Sequence, residues 1–182
     1  MRLSIWAGLT GTALVLAITP AAAAWHGYFN RAGVEFSVNA PADLKGQKNS
    51  YSSTMAGSRD AVVFKNVEDN VEFKVTVVDF TGRAADEAAL IKEASAVHLD
   101  RTKVLLDTEA RVESSYGRKL TIDLPNDSGR SMIAIFFKDN HLIELAATVL
   151  PGGDMQSPDL GRFVDSLAFY KIDDATELKL TN

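Results

Sequence analysis

Residues 131–150 read Ser131-Met132-Ile133-Ala134-Ile135-Phe136-Phe137-Lys138-Asp139-Asn140-His141-Leu142-Ile143-Glu144-Leu145-Ala146-Ala147-Thr148-Val149-Leu150. Two apolar runs, Ser131 to Phe137 and Leu142 to Leu150, flank the polar turn Lys138 to His141. Asp-Asn at the centre of that turn tolerates the left-handed backbone of a tight hairpin. Both runs are apolar on both faces, which places them at the centre of a sheet covered on each side.

Moving outward, Lys119 to Leu124 alternates apolar and polar, and Pro125-Asn126-Asp127-Ser128-Gly129 makes the turn before the hairpin. Lys103 to Leu106 and Ala110 to Glu113 are short strand candidates. Ala84 to Leu99 changes period, with Ala84, Ala88, Ile91, Ser95 and His98 at helical spacing. Thr81 is its candidate N-cap, and Asp86 and Glu87 fall in the first turn, where the helix dipole favours acid. Val71 to Val77 alternates cleanly, with Val71, Phe73, Val75 and Val77 on one face. Ala61 to Phe64 and Val34 to Val38 are further strands, and Gln47 to Ser58 is a loop or a weak edge strand. Beyond the hairpin, Pro151-Gly152-Gly153 breaks the chain. Ser157-Pro158-Asp159 then opens a helix with the buried stripe Leu160, Phe163, Val164 and Leu167. Ala168-Phe169-Tyr170 is a candidate short return strand. The order strands, helix, strands, helix, with hairpin connections, gives an α+β fold with a largely antiparallel sheet.

Residues 1–24 have the form of an export signal: Arg2, an uncharged apolar run from Leu3 to Ile18, then Pro20 and Ala21 to Ala24. Cleavage after Ala23 or Ala24 leaves one domain, 25–172, and a polar tail, 173–182, that is expected to fray. The expected compartment is a bacterial periplasm. The chain has 19 Lys and Arg against 24 Asp and Glu. The leader holds one arginine and no acid, so the mature balance is 18 against 24. That acidity argues against nucleic acid, which demands a basic footprint. No later apolar run is long enough to span a bilayer. The chain has no cysteine, which excludes thiol catalysis, thiolate metal sites and a lipidated cysteine anchor.

Three features carry a family resemblance: Tyr116-Gly117-Arg118 opening a strand, the hairpin Ser131 to Leu150, and Ser157-Pro158-Asp159-Leu160 leading into Phe163 to Phe169. Together with Val34 to Pro41 they resemble the PsbP-like superfamily. That group includes PsbP, a nuclear-import factor that binds the GTPase Ran, and DcrB-type bacterial envelope proteins. The resemblance covers most of residues 33–170. It implies an antiparallel sheet between helices (α/β/α) and a binding or assembly role, and it transfers no functional residue.

The candidate chemistry is sparse. His26, His98 and His141 show no ligand spacing, so no metal site and no cofactor are expected. Three charges share a strand face with apolar residues: Asp79 with Val77, Arg118 with Leu120, and Glu144 between Leu142 and Ala146. Such groups are paired or neutralised at functional sites, or they sit at strand ends and reach water. Arg118, Lys119 and Arg130 form either a grip for carboxylate or phosphate at one end of the sheet or a solvated strand end. No nucleophile elbow or phosphate loop is present. The expected role is therefore non-catalytic: a periplasmic protein that binds another envelope protein or a small ligand. The alternatives are a metal- or carboxylate-dependent enzyme, and a secretion-system chaperone or adaptor with an exposed apolar groove.

Overall fold

The computed structural model describes residues 24–41, 43–83 and 86–181. The expected leader lies outside them apart from Ala24, as does the expected helix start at Ala84. The elements are β1 (His26–Asn30), β2 (Phe36–Ala40), β3 (Lys45–Ser53), β4 (Gly57–Glu68), β5 (Val71–Asp79), α1 (Glu87–Leu99), β6 (Lys103–Val112), β7 (Ser115–Asp123), β8 (Arg130–Lys138), β9 (His141–Val149), α2 (Pro158–Val164) and β10 (Thr176–Glu177). Seven strands make one sheet in the order β3-β4-β5-β9-β8-β7-β6, with every neighbouring pair antiparallel. β9 is its central strand. The hairpin that opened the sequence reading is β8–β9, and its turn residues Asp139 and Asn140 both have positive φ, 49° and 59°.

Pleating divides the hairpin between two cores. Ile133, Ile135, Phe137, Leu142 and Ala146 face α1 together with Leu120, Ile122 and Val78. Ala134, Phe136, Ile143, Leu145, Ala147 and Val149 face the other side with Phe73, Val75 and Phe163. That second core is closed jointly by α2 and by a small sheet of β10, β1 and β2, which supplies Tyr28, Phe36, Val38 and Ala40. The molecule is α+β with a largely antiparallel main sheet, but the expected helix on each face is met only in part. α2 has seven residues, about two turns, too short to cover seven strands, and the small sheet fills the remainder. α1 packs over β7 and β8 and leaves the same face of β3, β4 and β5 open beside it.

Four further departures have physical causes. β3 and β4 form one long hairpin where a loop or weak edge and a short strand were expected; β3 is an edge strand exposed on both faces, so its sequence does not alternate. β6 is continuous from Lys103 to Val112 for the same reason: it is the opposite edge, with a bulge between Val104 and Leu106. The cap of α1 is Asp86, whose side chain accepts from the Ala89 amide, whereas Thr81 donates its amide to Asp79. The tail does not fray in its first part. Thr176 and Glu177 pair in parallel with β1, Leu178 is buried, and the Thr181 amide donates to the Gly46 carbonyl. The domain therefore extends past the expected boundary at residue 172. Ala168 returns to the small sheet through a single bridge to Ser37.

Gly117 of the Tyr116-Gly117-Arg118 stretch has a steric reason. A Cβ there would lie 2.2 Å from the Ile135 carbonyl oxygen and 2.4 Å from the Phe136 ring. Only glycine lets β7 pair against β8 at that point.

Candidate functional site

Where α1 stops covering the sheet, a groove of about 440 Å³ opens between the helix and β3–β5. Val63, Ala61, Thr76 and Lys74 form its floor, Ala94, Val97 and His98 its helical wall, and Asn49, Ser50 and Tyr51 its far side. The lining mixes polar and charged side chains with Ala61, Val63, Ala94 and Val97. Two polar clasps hold α1 in place over the sheet. Glu93 accepts from the Ser53 hydroxyl (2.8 Å), the Thr54 hydroxyl (2.7 Å) and the Thr54 amide, which fixes the β3–β4 turn to the helix. One turn further on, His98 Nε2 lies 2.9 Å from Glu144 Oε2.

Glu144 is the central charge of the molecule: it sits mid-way along the central strand and is 8% exposed. A carboxylate there needs compensation. It receives it from His98 and from Lys74, whose Nζ is 3.7 Å from Oε1. Burial pushes the Glu144 carboxyl up, but the His98 hydrogen bond and the charges of His98 and Lys74 outweigh it and hold the pKa below the usual glutamate value. Nearby, burial raises the Tyr51 hydroxyl to about 12, with the Glu93 and Glu144 charges adding to it. Tyr51 stacks edge-on against Phe80 with 6.3 Å between ring centroids.

Asp79, also expected on sequence grounds, stands elsewhere. It is directly opposite His141, and its Oδ1 is 3.7 Å from His141 Nε2. This pair lines a second groove with Lys48, Asp60 and Gly33, on the opposite face of the sheet. Hydrogen bonds from Thr81 are the main cause that lowers the Asp79 pKa, and His141 contributes. His141 Nδ1 is 2.7 Å from the Asp139 carbonyl, and Gly33, at φ +80°, leaves room for the ring: a Cβ there would lie 2.4 Å from Nε2. The two histidine–carboxylate pairs are thus separate, and they do not converge in one pocket. Among the described residues no group of three His, Asp or Glu side chains is placed to hold a metal ion.

The expected grip of Arg118, Lys119 and Arg130 is not assembled. Arg118 and Lys119 are successive residues of β7, so they point to opposite faces. Arg118 makes a two-pronged bond to Asp107 at 2.5 and 2.7 Å, which lowers the Asp107 pKa. Lys119 pairs with Asp165 just beyond α2. Arg130, at the far end of the hairpin, bonds Asp123 at 2.8 Å. Each cation has its own carboxylate. What the sequence did not disclose is a row of lysines: Lys45, Lys65 and Lys74 lie directly opposite one another across β3, β4 and β5, on the open face beside α1. Residues 20 and 9 positions apart give no local signal, and only the register brings them together.

No family model matches the chain, and no curated protein matches it in sequence. Among solved structures it is similar to the solution structure of cyanobacterial PsbP (CyanoP) from Synechocystis sp. PCC 6803. The TM-score is 0.52 at 12% identity, over 86% of this chain and 99% of that one. A crystal structure from Bacteroides thetaiotaomicron VPI-5482 matches 75% of this chain and 45% of its own, at 18% identity and a TM-score of 0.35, too loose to carry an argument. The chain has a PsbP-like fold, and at this level of identity the likeness speaks for the fold alone.

Proposed function

We propose that this chain is an exported, non-catalytic binding or assembly protein of the bacterial envelope, and that its partner or small ligand enters the groove between α1 and β3–β5. The observation that carries the reading is the half-covered sheet: α1 is clasped in place at Glu93 and His98, yet leaves a groove of mixed polar and apolar lining beside it. A fixed wall and an open, largely preformed cleft are the usual form of a ligand site. Binding is favoured over catalysis because the histidine–carboxylate pairs stand on opposite faces. Within the groove Glu144 is already engaged by both His98 and Lys74. Export is supported by the form of residues 1–24.

N-terminal sequencing of protein from a periplasmic fraction tests the export half, and a start near Trp25 is expected. Mature protein that retains Met1 contradicts it. Amide chemical shifts of the mature protein, recorded as envelope extract is added, test the binding half. Perturbations are expected at Asn49 to Tyr51, Lys65, Thr76 and Ala94 to His98. Perturbations confined to β6 or to the small sheet contradict it.

A further inference from the structure

The main sheet has two outer strands, β3 and β6, and an outer strand offers a row of free backbone N–H and C=O groups to any further strand. β3 is covered in part by its own chain. Gly46 bridges Leu180 of the tail in parallel, its carbonyl accepts from the Thr181 amide, and Glu93 holds the Thr54 amide just past the end of the strand. β6 packs extensively against β7 alone, and none of its ten residues is buried. A bulge between Val104 and Leu106 spoils the pairing edge at its start and leaves Leu106 to Val112 regular. That stretch carries three charges, Asp107, Glu109 and Arg111. They lie opposite Leu120, Arg118 and Tyr116, and so on the face toward α1. Asp107 is neutralised by Arg118. Glu109 and Arg111 make no ion pair with any described residue.

A second copy that pairs antiparallel with β6 is related to the first by a two-fold axis normal to the sheet. Such an axis keeps every side chain on its own face and sets one residue opposite itself. The charges select that residue. An axis at Asp107, Glu109 or Arg111 sets a charge against itself, and an axis at Thr108 sets Asp107 against Glu109 twice. Like charges directly opposite are destabilising. Axes at Leu106 and Val112 run the pairing into the bulge and into the β6–β7 turn, where Glu113 has φ 53°. Ala110 remains, and its small side chain suits the axis. We infer that this protein self-associates edge to edge through Thr108 to Val112 of β6, two-fold about Ala110, with Glu109 and Arg111 forming reciprocal ion pairs between the copies. Thr108 then faces Val112 of the second copy, and Asp107, next in line, already has its charge met by Arg118. The two main sheets become one, with both α1 helices and both grooves on the same face. So short a pairing makes the association reversible and concentration-dependent. It is independent of what enters the groove.

The test is sedimentation equilibrium of the mature protein over a concentration series. A reversible rise from the mass of one protomer to that of two is expected. Glu109→Arg and Arg111→Glu each set like charges opposite one another across the axis, and each variant alone is expected to dimerise about tenfold or more less tightly. Mixed in equal amounts, the two variants make a pair in which both contacts attract again, and the dimer returns. Recovery on mixing separates lost recognition from lost fold, since a misfolded chain does not regain a partner that way. Lys48→Glu, on the other outer strand, leaves the dimer intact. The mass of one protomer at every concentration up to about 1 mM overturns the inference. So does a dimer indifferent to the charge reversals, a mixture that does not recover, or a dimer weakened equally by Lys48→Glu. Protection of β6 amides from hydrogen exchange only when envelope extract is added also overturns it, because the edge then takes a strand of another protein.

Discussion

At the scale of single residues, burial and charge compensation separate the side chains that hold the fold from those that fit it for binding. Phe163 is fully buried and meets the Phe73 ring edge-on at 5.3 Å. Phe163→Ala is expected to cost about 3–5 kcal/mol, the penalty for truncating a buried phenylalanine, and urea melts of both proteins measure it. A change below about 1 kcal/mol means that α2 does not seal the second core. Glu144 gives a pH prediction. Its pKa is held below the ordinary glutamate value in the folded state. Its stabilisation is therefore complete above the unfolded pKa of about 4.3 and is lost as pH falls through the lower folded value. Stability profiles from about pH 6 down to pH 3 are expected to fall less steeply for Glu144→Gln than for the wild type. Parallel profiles contradict the pairing with His98 and Lys74. Phe163 was legible from sequence as one position in a helical stripe. The Glu144–His98 pair was not, because its members are 46 residues apart on different elements. Glu144 was visible only as a charge between Leu142 and Ala146.

At the scale of elements, legibility follows burial. β8 and β9 announced themselves because both of their faces are covered. Asp139-Asn140 supplied the turn that joins them. β3 and β6 are the two edges, and strands that face water on both sides carry no alternation for a reader to find. The tail hid its buried side chain, Leu178, among polar residues. The expected α1 stripe is met in part: Ser95 is buried, Ile91 and His98 are half-buried, and Ala88 is exposed, while Leu90 and Ala94 beside it are buried. Val97 is 69% exposed and borders the groove. The helix depends on its clasps, and Glu93 bonds both Ser53 and Thr54. In Glu93→Gln the Thr54 amide is expected to exchange hydrogen faster, with amides at the centre of β8 and β9 unchanged. Unaltered exchange at Thr54 would show that the β3–β4 turn is held without the helix.

At the scale of the whole molecule, one sheet serves two cores with different tasks. The face toward α2 and the small sheet is closed by Phe36, Phe73, Phe136 and Phe163. The face toward α1 is closed only over β7, β8 and part of β9, and the remainder is the groove. Fold class was accessible from periodicity and turns. The second layer was not, because β1, β2 and β10 total twelve residues in strands too short to set a pattern. The central claim is that partners meet this protein at the open side of α1. A photoreactive side chain at Val97, inside cells that produce the protein, tests it most directly. Tyr170, 57% exposed on the small-sheet side, is the control position. The account predicts a discrete adduct from position 97 and none from position 170. Adducts from neither position, or equal adducts from both, would contradict it.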